Sequence, residues 1–170
     1  MSTDQITDLV KSKFSRIRTG LVVGTGGDEV LSRLKDLRGG QWRRVAASDE
    51  LPFEDGQFEV VVMDGAAVSN VSVKEAHRVM RPDGCLFFTV DERTGKQDGY
   101  ELSDIYRIVR DGFGILDVKR PAWWYFGRRG RTLTVCARKK NWREYKGLVP
   151  HEKVFGGDAC GIFCRDHRRG

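Results

Sequence analysis

Three groups of residues have types and spacings that can do chemistry. The first is a glycine turn, Gly24-Thr25-Gly26-Gly27, directly after the apolar run Leu21-Val22-Val23. Glycines behind a strand let the backbone approach a ligand closely. The second is a set of carboxylates near strand ends: Asp49 and Glu50 before Leu51, and Asp64 in Met63-Asp64-Gly65-Ala66-Ala67. A strand-end Asp can serve as a general base, although a lone Asp before Gly is more often a turn residue. The third is the run Pro121 to Arg131, where Trp123, Trp124, Tyr125 and Phe126 stand beside Arg128, Arg129 and Arg131. Aromatic faces next to cations are the usual means of holding single-stranded nucleic acid. The plainer reading is a final strand whose aromatics pack on a sheet while its turn carries solvated arginines. Cys160, Cys164 and His167 form a C-x3-C-x2-H spacing, with His151 the only further histidine in the tail. A structural zinc needs four ligands, so we expect no metal and read the segment as an apolar anchor.

The elements that must position these groups follow from apolar spacing. Residues 4–18 place Ile6, Leu9, Val10, Phe14 and Ile17 at helical spacing. Leu21-Val23 reads as a buried strand, Asp28 onward as a helix, and Arg43-Ala47 as a strand. After the loop Leu51-Pro52-Phe53-Glu54-Asp55-Gly56, Phe58-Met63 has the continuous apolar run of a central parallel strand. A helix over Val73-Met80 stops at Arg81-Pro82-Asp83-Gly84, a buried strand follows over Cys85-Val90, and Leu102-Asp111 reads as a helix. Ile115-Phe126 and Thr132-Ala137 close the pattern as an antiparallel hairpin. Alternating strands and helices imply an α/β sheet with helices on both faces.

Composition narrows the classes. A chain of 170 residues with 39% hydrophobic and 32% charged residues is globular rather than disordered. It has no apolar run of membrane-spanning length. The N-terminus lacks the apolar core of a secretory signal. Four cysteines without such a signal point to a reducing, cytoplasmic setting, with the nucleus not excluded. Charge is uneven. Residues 119–170 carry 14 Lys and Arg against 4 Asp and Glu, a net +10; residues 1–118 carry 16 against 20, a net −4. A basic C-terminal third, with Lys139 and Lys140 extending its surface, suits a polyanion such as RNA or an acidic protein partner. Self-association through the tail is the other expectation.

Three ordered segments carry a resemblance. Leu21 to Gly27, Leu51 to Val62, and Glu75-Ala76-His77-Arg78-Val79-Met80-Arg81-Pro82-Asp83-Gly84-Cys85-Leu86 resemble the class I S-adenosylmethionine-dependent methyltransferases, particularly those with a Leu-Pro-Phe loop. It covers roughly residues 15 to 140 and implies a Rossmann-like sheet. The same likeness divides the chain into a methyltransferase-like domain, 1–140, and a basic extension, 141–170. It would place S-adenosylmethionine at the carboxyl ends of the strands, against Gly24, Thr25, Gly26, Gly27, Asp49, Leu51 and Asp64.

The departures from that family pattern are physical. An acid stands two residues before the first glycine in the family; here it is Val22. If Gly24 and Gly26 match the first two glycines of G-x-G-x-G, the third is Asp28, a negative side chain where backbone should meet ligand. Between Gly24 and Leu51 there is room for one helix and one strand, where the family fits two of each. We therefore expect a truncated sheet lacking the second strand and its helix, and with them the acid that holds the ribose. The Asn- or Asp-Pro-Pro-aromatic turn of N-methyltransferases is absent after Met63, and His77 reads as a surface or supporting residue. These readings converge on a methyltransferase-like domain with weak or lost cofactor binding that acts as a binding or assembly module. The alternative is an active minimal methyltransferase.

Overall fold

The computed structural model describes residues 3–24, 27–35, 40–93, 98–119 and 132–140. Among these residues the chain forms four α-helices and six strands in the order α1 (Thr3–Lys13), β1 (Thr19–Val23), α2 (Gly27–Lys35), β2 (Gln41–Val45), β3 (Phe58–Met63), α3 (Asn70–Val79), β4 (Met80–Asp91), α4 (Leu102–Val109), β5 (Phe113–Lys119) and β6 (Thr132–Lys139). The sheet order is β2-β1-β3-β4-β6-β5. Strands β1 to β4 run parallel, and β6 and β5 add antiparallel to β4.

Alternation along the strands feeds two cores. Leu21, Val23, Val61, Met63, Leu86, Phe88 and Val90 point to the face covered by Val73, Ala76 and Val79 of α3 and Ile105 and Val109 of α4. Val22, Val60, Val62, Cys85, Phe87 and Cys136 point to the other face, against Ile6, Leu9 and Val10 of α1 and Val30 and Leu34 of α2. Strands buried on both faces read as continuous apolar runs, which is why β3 was legible. Ser69 caps α3 by accepting from the Ser72 N–H at 3.1 Å, and Ser72 reciprocates.

Several boundaries differ from expectation. Helix α1 stops at Lys13, before Phe14 and Ile17, and α3 starts at Asn70 because Ser69 supplies the cap. Strand β4 begins at Met80, so Arg81-Pro82-Asp83-Gly84 lies within it as a wide bulge. Phe58 faces Met80, yet Val60 already faces Cys85, and Asp83 takes φ +67° to absorb the extra residues.

The span between Gly24 and Leu51 does hold one helix and one strand, giving six strands. The place beside β1 is not empty, however. Gln41–Val45 occupies it, pairing Thr19 with Gln41 and Val23 with Val45. The truncation therefore falls at the outer edge of the sheet, and β2 is that edge. The closing antiparallel pair is present as β5 and β6; residues 120–131, which include the expected turn, lie outside the described residues.

Candidate functional site

At the carboxyl ends of β1 and β3 the chain closes tightly. Gly24 adopts φ +128°, a conformation side chains disfavour, and a Cβ there would lie 2.5 Å from the Cβ of Asp64. Its N–H donates to the Val45 carbonyl at 3.0 Å, and the Asp64 N–H donates to the Val23 carbonyl at 2.9 Å. Gly65 is held as closely: a Cβ there would meet the Thr89 carbonyl oxygen at 2.4 Å. Asp64 is half-buried and begins the 3-10 turn Gly65–Ala67. The fold thus packs Gly24 and Asp64 together at one end of the strands. Thr25 and Gly26 lie outside the described residues, and Gly27 opens α2.

The acids do not converge there. Val22 is buried in the face under α1 and α2. Beyond Val45 the chain continues Ala46-Ala47-Ser48, all exposed, and Asp49 comes four residues past the last paired position, also exposed. Asp28 departs from expectation. It is not a buried carboxylate facing the cleft: it sits in the first turn of α2, its side chain 79% exposed, and it ion-pairs with Arg44 of β2. The first turn of a helix favours a carboxylate, and Arg44 offsets its charge.

Leu51 belongs to a different construction. Its side chain is buried, its N–H donates to Glu75 Oε2 at 3.1 Å, and its carbonyl accepts from Arg78 Nη2 at 3.0 Å. Arg78 also donates to the Phe53 carbonyl at 2.8 Å, to Asp55 at 2.7 Å and to Glu75 at 2.8 Å. One guanidinium therefore ties the whole Leu51–Asp55 loop to α3. The hydrogen bonds it donates to Glu75 and then to Asp55 raise the Arg78 pKa still higher. Those from Arg78 and the Leu51 N–H lower the Glu75 carboxyl below its ordinary 4.5. Sequence reasoning used Glu75 and Arg78 only as motif letters; their three-residue spacing on a helix was the available sign that they act as a pair.

Other named residues have structural duties. Lys139 Nζ donates to the carbonyls of His77 at 2.6 Å and Met80 at 2.7 Å, closing the end of α3, and burial lowers its pKa. Lys140 Nζ donates to the Arg110 carbonyl. His77 packs edge-on to Phe113, ring centroids 5.3 Å apart, and burial followed by the Lys139 charge lowers its pKa. It is thus a packed residue rather than a surface one. Trp123, Trp124, Tyr125, Arg128, Arg129 and Arg131, with Cys160, Cys164 and His167, lie outside the described residues. A groove of about 230 Å³ opens near the starts of α3 and α4, lined by Asn70, Arg93, Tyr100, Asp104, Arg107 and Ile108. Arg93 there is already paired with Glu101 at 3.4 Å and Asp104 at 3.6 Å. Among the described residues no group of three or more His, Cys, Asp or Glu gathers to hold a metal, and no helix is long and apolar enough to cross a membrane.

No family model matches the chain, and no curated protein matches it. Solved structures do. A SAM-dependent methyltransferase from Aquifex aeolicus superposes with a TM-score of 0.63 at 15% identity, covering 79% of this chain and 89% of that one. The chain has a methyltransferase-like fold. The 1,6-didemethyltoxoflavin-N1-methyltransferase of Burkholderia thailandensis, solved with 1,6-didemethyltoxoflavin and S-adenosylhomocysteine, matches at TM-score 0.59 and 18% identity, covering 82% of this chain and 78% of that one. A complex containing a methyltransferase activator from Haloferax volcanii includes a chain that matches at 0.59 and 16%, covering 81% and 92%. Identities this low speak for the fold. Gly24 makes the close approach that the resemblance implies, while Val22 and Ala46-Ala47 carry no acid at positions where the resemblance implies one.

Proposed function

We propose that this methyltransferase-like domain has weak or lost S-adenosylmethionine binding and works as a binding or assembly module. The observation that carries the reading is the pair of strand ends at Val22–Gly24 and Val45–Ala47. The first presents a buried Val and the second two Ala where the family pattern has carboxylates. Hydroxyls and an ammonium brought to a partly dry cleft without acceptors lose more to desolvation than they regain. The partner surface is the basic C-terminal third, net +10 over residues 119–170, whose aromatics Trp123, Trp124 and Tyr125 stand beside Arg128, Arg129 and Arg131. RNA fits that chemistry best. An acidic protein or a second copy of the chain uses the same charge or the apolar tail without the stacking.

The second reading, an active minimal methyltransferase, is favoured by one observation: Gly24 keeps the left-handed turn that cofactor approach needs. Thermal unfolding separates the two. A ligand bound with a Kd of 10 μM and supplied at 1 mM stabilises by about 2.7 kcal/mol, a rise of several degrees in Tm. The module reading expects S-adenosylmethionine at 1 mM to move Tm by less than about 1 °C. For the partner, an electrophoretic shift series with single-stranded RNA should show binding at low salt that weakens steeply as salt rises. Arg128→Ala, Arg129→Ala and Arg131→Ala together should flatten that slope by roughly two units on a single strand. No shift at about 50 mM salt rules out RNA as the partner.

A further inference from the structure

The two outer edges of the sheet are built differently. Strand β5, at one end of the strand order, is broken by a bulge between Ile115 and Asp117, and Asp117 is tied to Lys13 of α1 at 3.3 Å. Bulges of this kind keep an edge from pairing with another chain. Strand β2, at the other end, runs in unbroken register with β1 and contains no proline. The Gln41 N–H donates to the Arg18 carbonyl and the Val45 carbonyl accepts from the Gly24 N–H, so the odd positions of β2 turn their backbone groups to β1. By alternation, Trp42 and Arg44 turn theirs outward. Apolar cover also runs out at this edge. Leu31 and Trp42 on the α2 face, and Val45 and Phe53 on the α3 face, are only partly buried against the two cores.

Charge along β2 reverses from one end to the other. Arg18 and Lys35, both exposed, belong to its amino end. Arg18 is bonded there through its carbonyl to Gln41, and Lys35 ends α2, whose first turn reaches the far end of β2 through the Asp28–Arg44 pair. Asp49 and Glu50, also exposed, follow the carboxyl end. Between them, Arg44 is offset by Asp28 and Arg43 lies over the Phe53 ring. An antiparallel pairing about a two-fold axis sets the basic end of one copy against the acidic end of the other, whereas a parallel pairing sets like against like. We propose that the outer edge of β2 is an interface between two copies of this chain. The outward backbone groups of Trp42 and Arg44 join the two sheets antiparallel, and the half-covered Leu31, Trp42, Val45 and Phe53 gain their missing cover from the partner. This surface is separate from the C-terminal third, so it stands or falls independently of the RNA reading.

Sedimentation velocity of the full-length chain tests it. The mass should rise toward twice that of the monomer between about 1 and 100 μM, the affinity range of a small interface. Arg44→Pro removes an outward N–H and no bond to β1, so it should raise the dissociation constant at least about tenfold while circular dichroism stays native. Two charge variants keep the test decisive should the proline variant unfold. Arg18→Glu/Lys35→Glu and Asp49→Lys/Glu50→Lys should each remain monomeric alone, because like charges then meet, and should dimerise when mixed, because opposite charges do. A full-length chain that stays monomeric to about 100 μM overturns the proposal. So does a dimer that both charge variants form as readily as the unmodified chain, the result that self-association through the apolar tail would give.

Discussion

Two regions of the same fold have fared differently. In the loop Leu51–Asp55 and helix α3, Glu75 and Arg78 hold the backbone of Leu51 and Phe53 and the side chain of Asp55. At the carboxyl ends of β1 and β2, Gly24 has its positive φ, while Val22, Ala46 and Ala47 stand where the resemblance implies acids. The first region fastens a loop to a helix, and its loss would cost stability in any protein with this fold. Under the reading proposed above, a scaffold that still needs stability keeps the first region and can do without acids in the second.

The sharpest way to break this comparison is to remove the clamp. Arg78→Ala leaves the Leu51 and Phe53 carbonyls and the Glu75 carboxylate without their shared donor, and should destabilise by about 2–4 kcal/mol. A shift of the urea midpoint at unchanged slope would register it. A change under about 0.5 kcal/mol would mean that the loop is held by apolar packing of Leu51 and Phe53 alone.

Gly24→Ala probes the other region. The left-handed backbone and the contact with the Asp64 Cβ should together cost about 1–3 kcal/mol. That loss should be the same with and without S-adenosylmethionine; a ligand-dependent loss would return a cofactor role to the turn.

The pH profile gives a smaller effect with a definite sign. The folded Glu75 carboxyl lies below its ordinary 4.5. Its contribution is therefore complete above that value and disappears as pH falls through the lower folded value. His77 acts in the same direction over a different window. Its folded pKa is lowered from 6.5, so the unfolded chain takes up the proton first and stability declines as pH falls below 6.5. His77→Phe, which keeps the ring packing on Phe113, should flatten the profile near pH 6, and Glu75→Gln should flatten it below 4.5. Denaturation curves at a series of pH values check both.

The smallest effect sharpens the comparison most. Ala46→Asp and Ala47→Asp restore a carboxylate at the end of β2 on exposed positions, so stability should change by less than about 0.5 kcal/mol. If the remaining cleft is intact, one of them should bind S-adenosylmethionine more tightly than the unmodified chain does, as measured by equilibrium dialysis.

Much of this was open to reading in the chain itself, and the misses have common causes. The α/β alternation, the Gly24 turn and the short span before Leu51 are local signals, carried by apolar period, glycine and chain length. Where the single strand of that span would pair is not local: a five-residue run says nothing of its neighbour, so the truncation was placed beside β1 when it falls at the edge. The same limit hid the Asp28–Arg44 pair, which joins residues 16 apart across α2. Lys139 and Lys140 read as free surface charge because sequence cannot tell a solvated lysine from one that closes a helix end.

The central claim is that the strand ends at Gly24 and Val45 no longer hold S-adenosylmethionine. Isothermal titration of the unmodified full-length chain tests it most directly. The account predicts no saturable heat with S-adenosylmethionine or S-adenosylhomocysteine at micromolar concentrations. A saturable isotherm with a Kd in the micromolar range would contradict it and make the domain a working methyltransferase site.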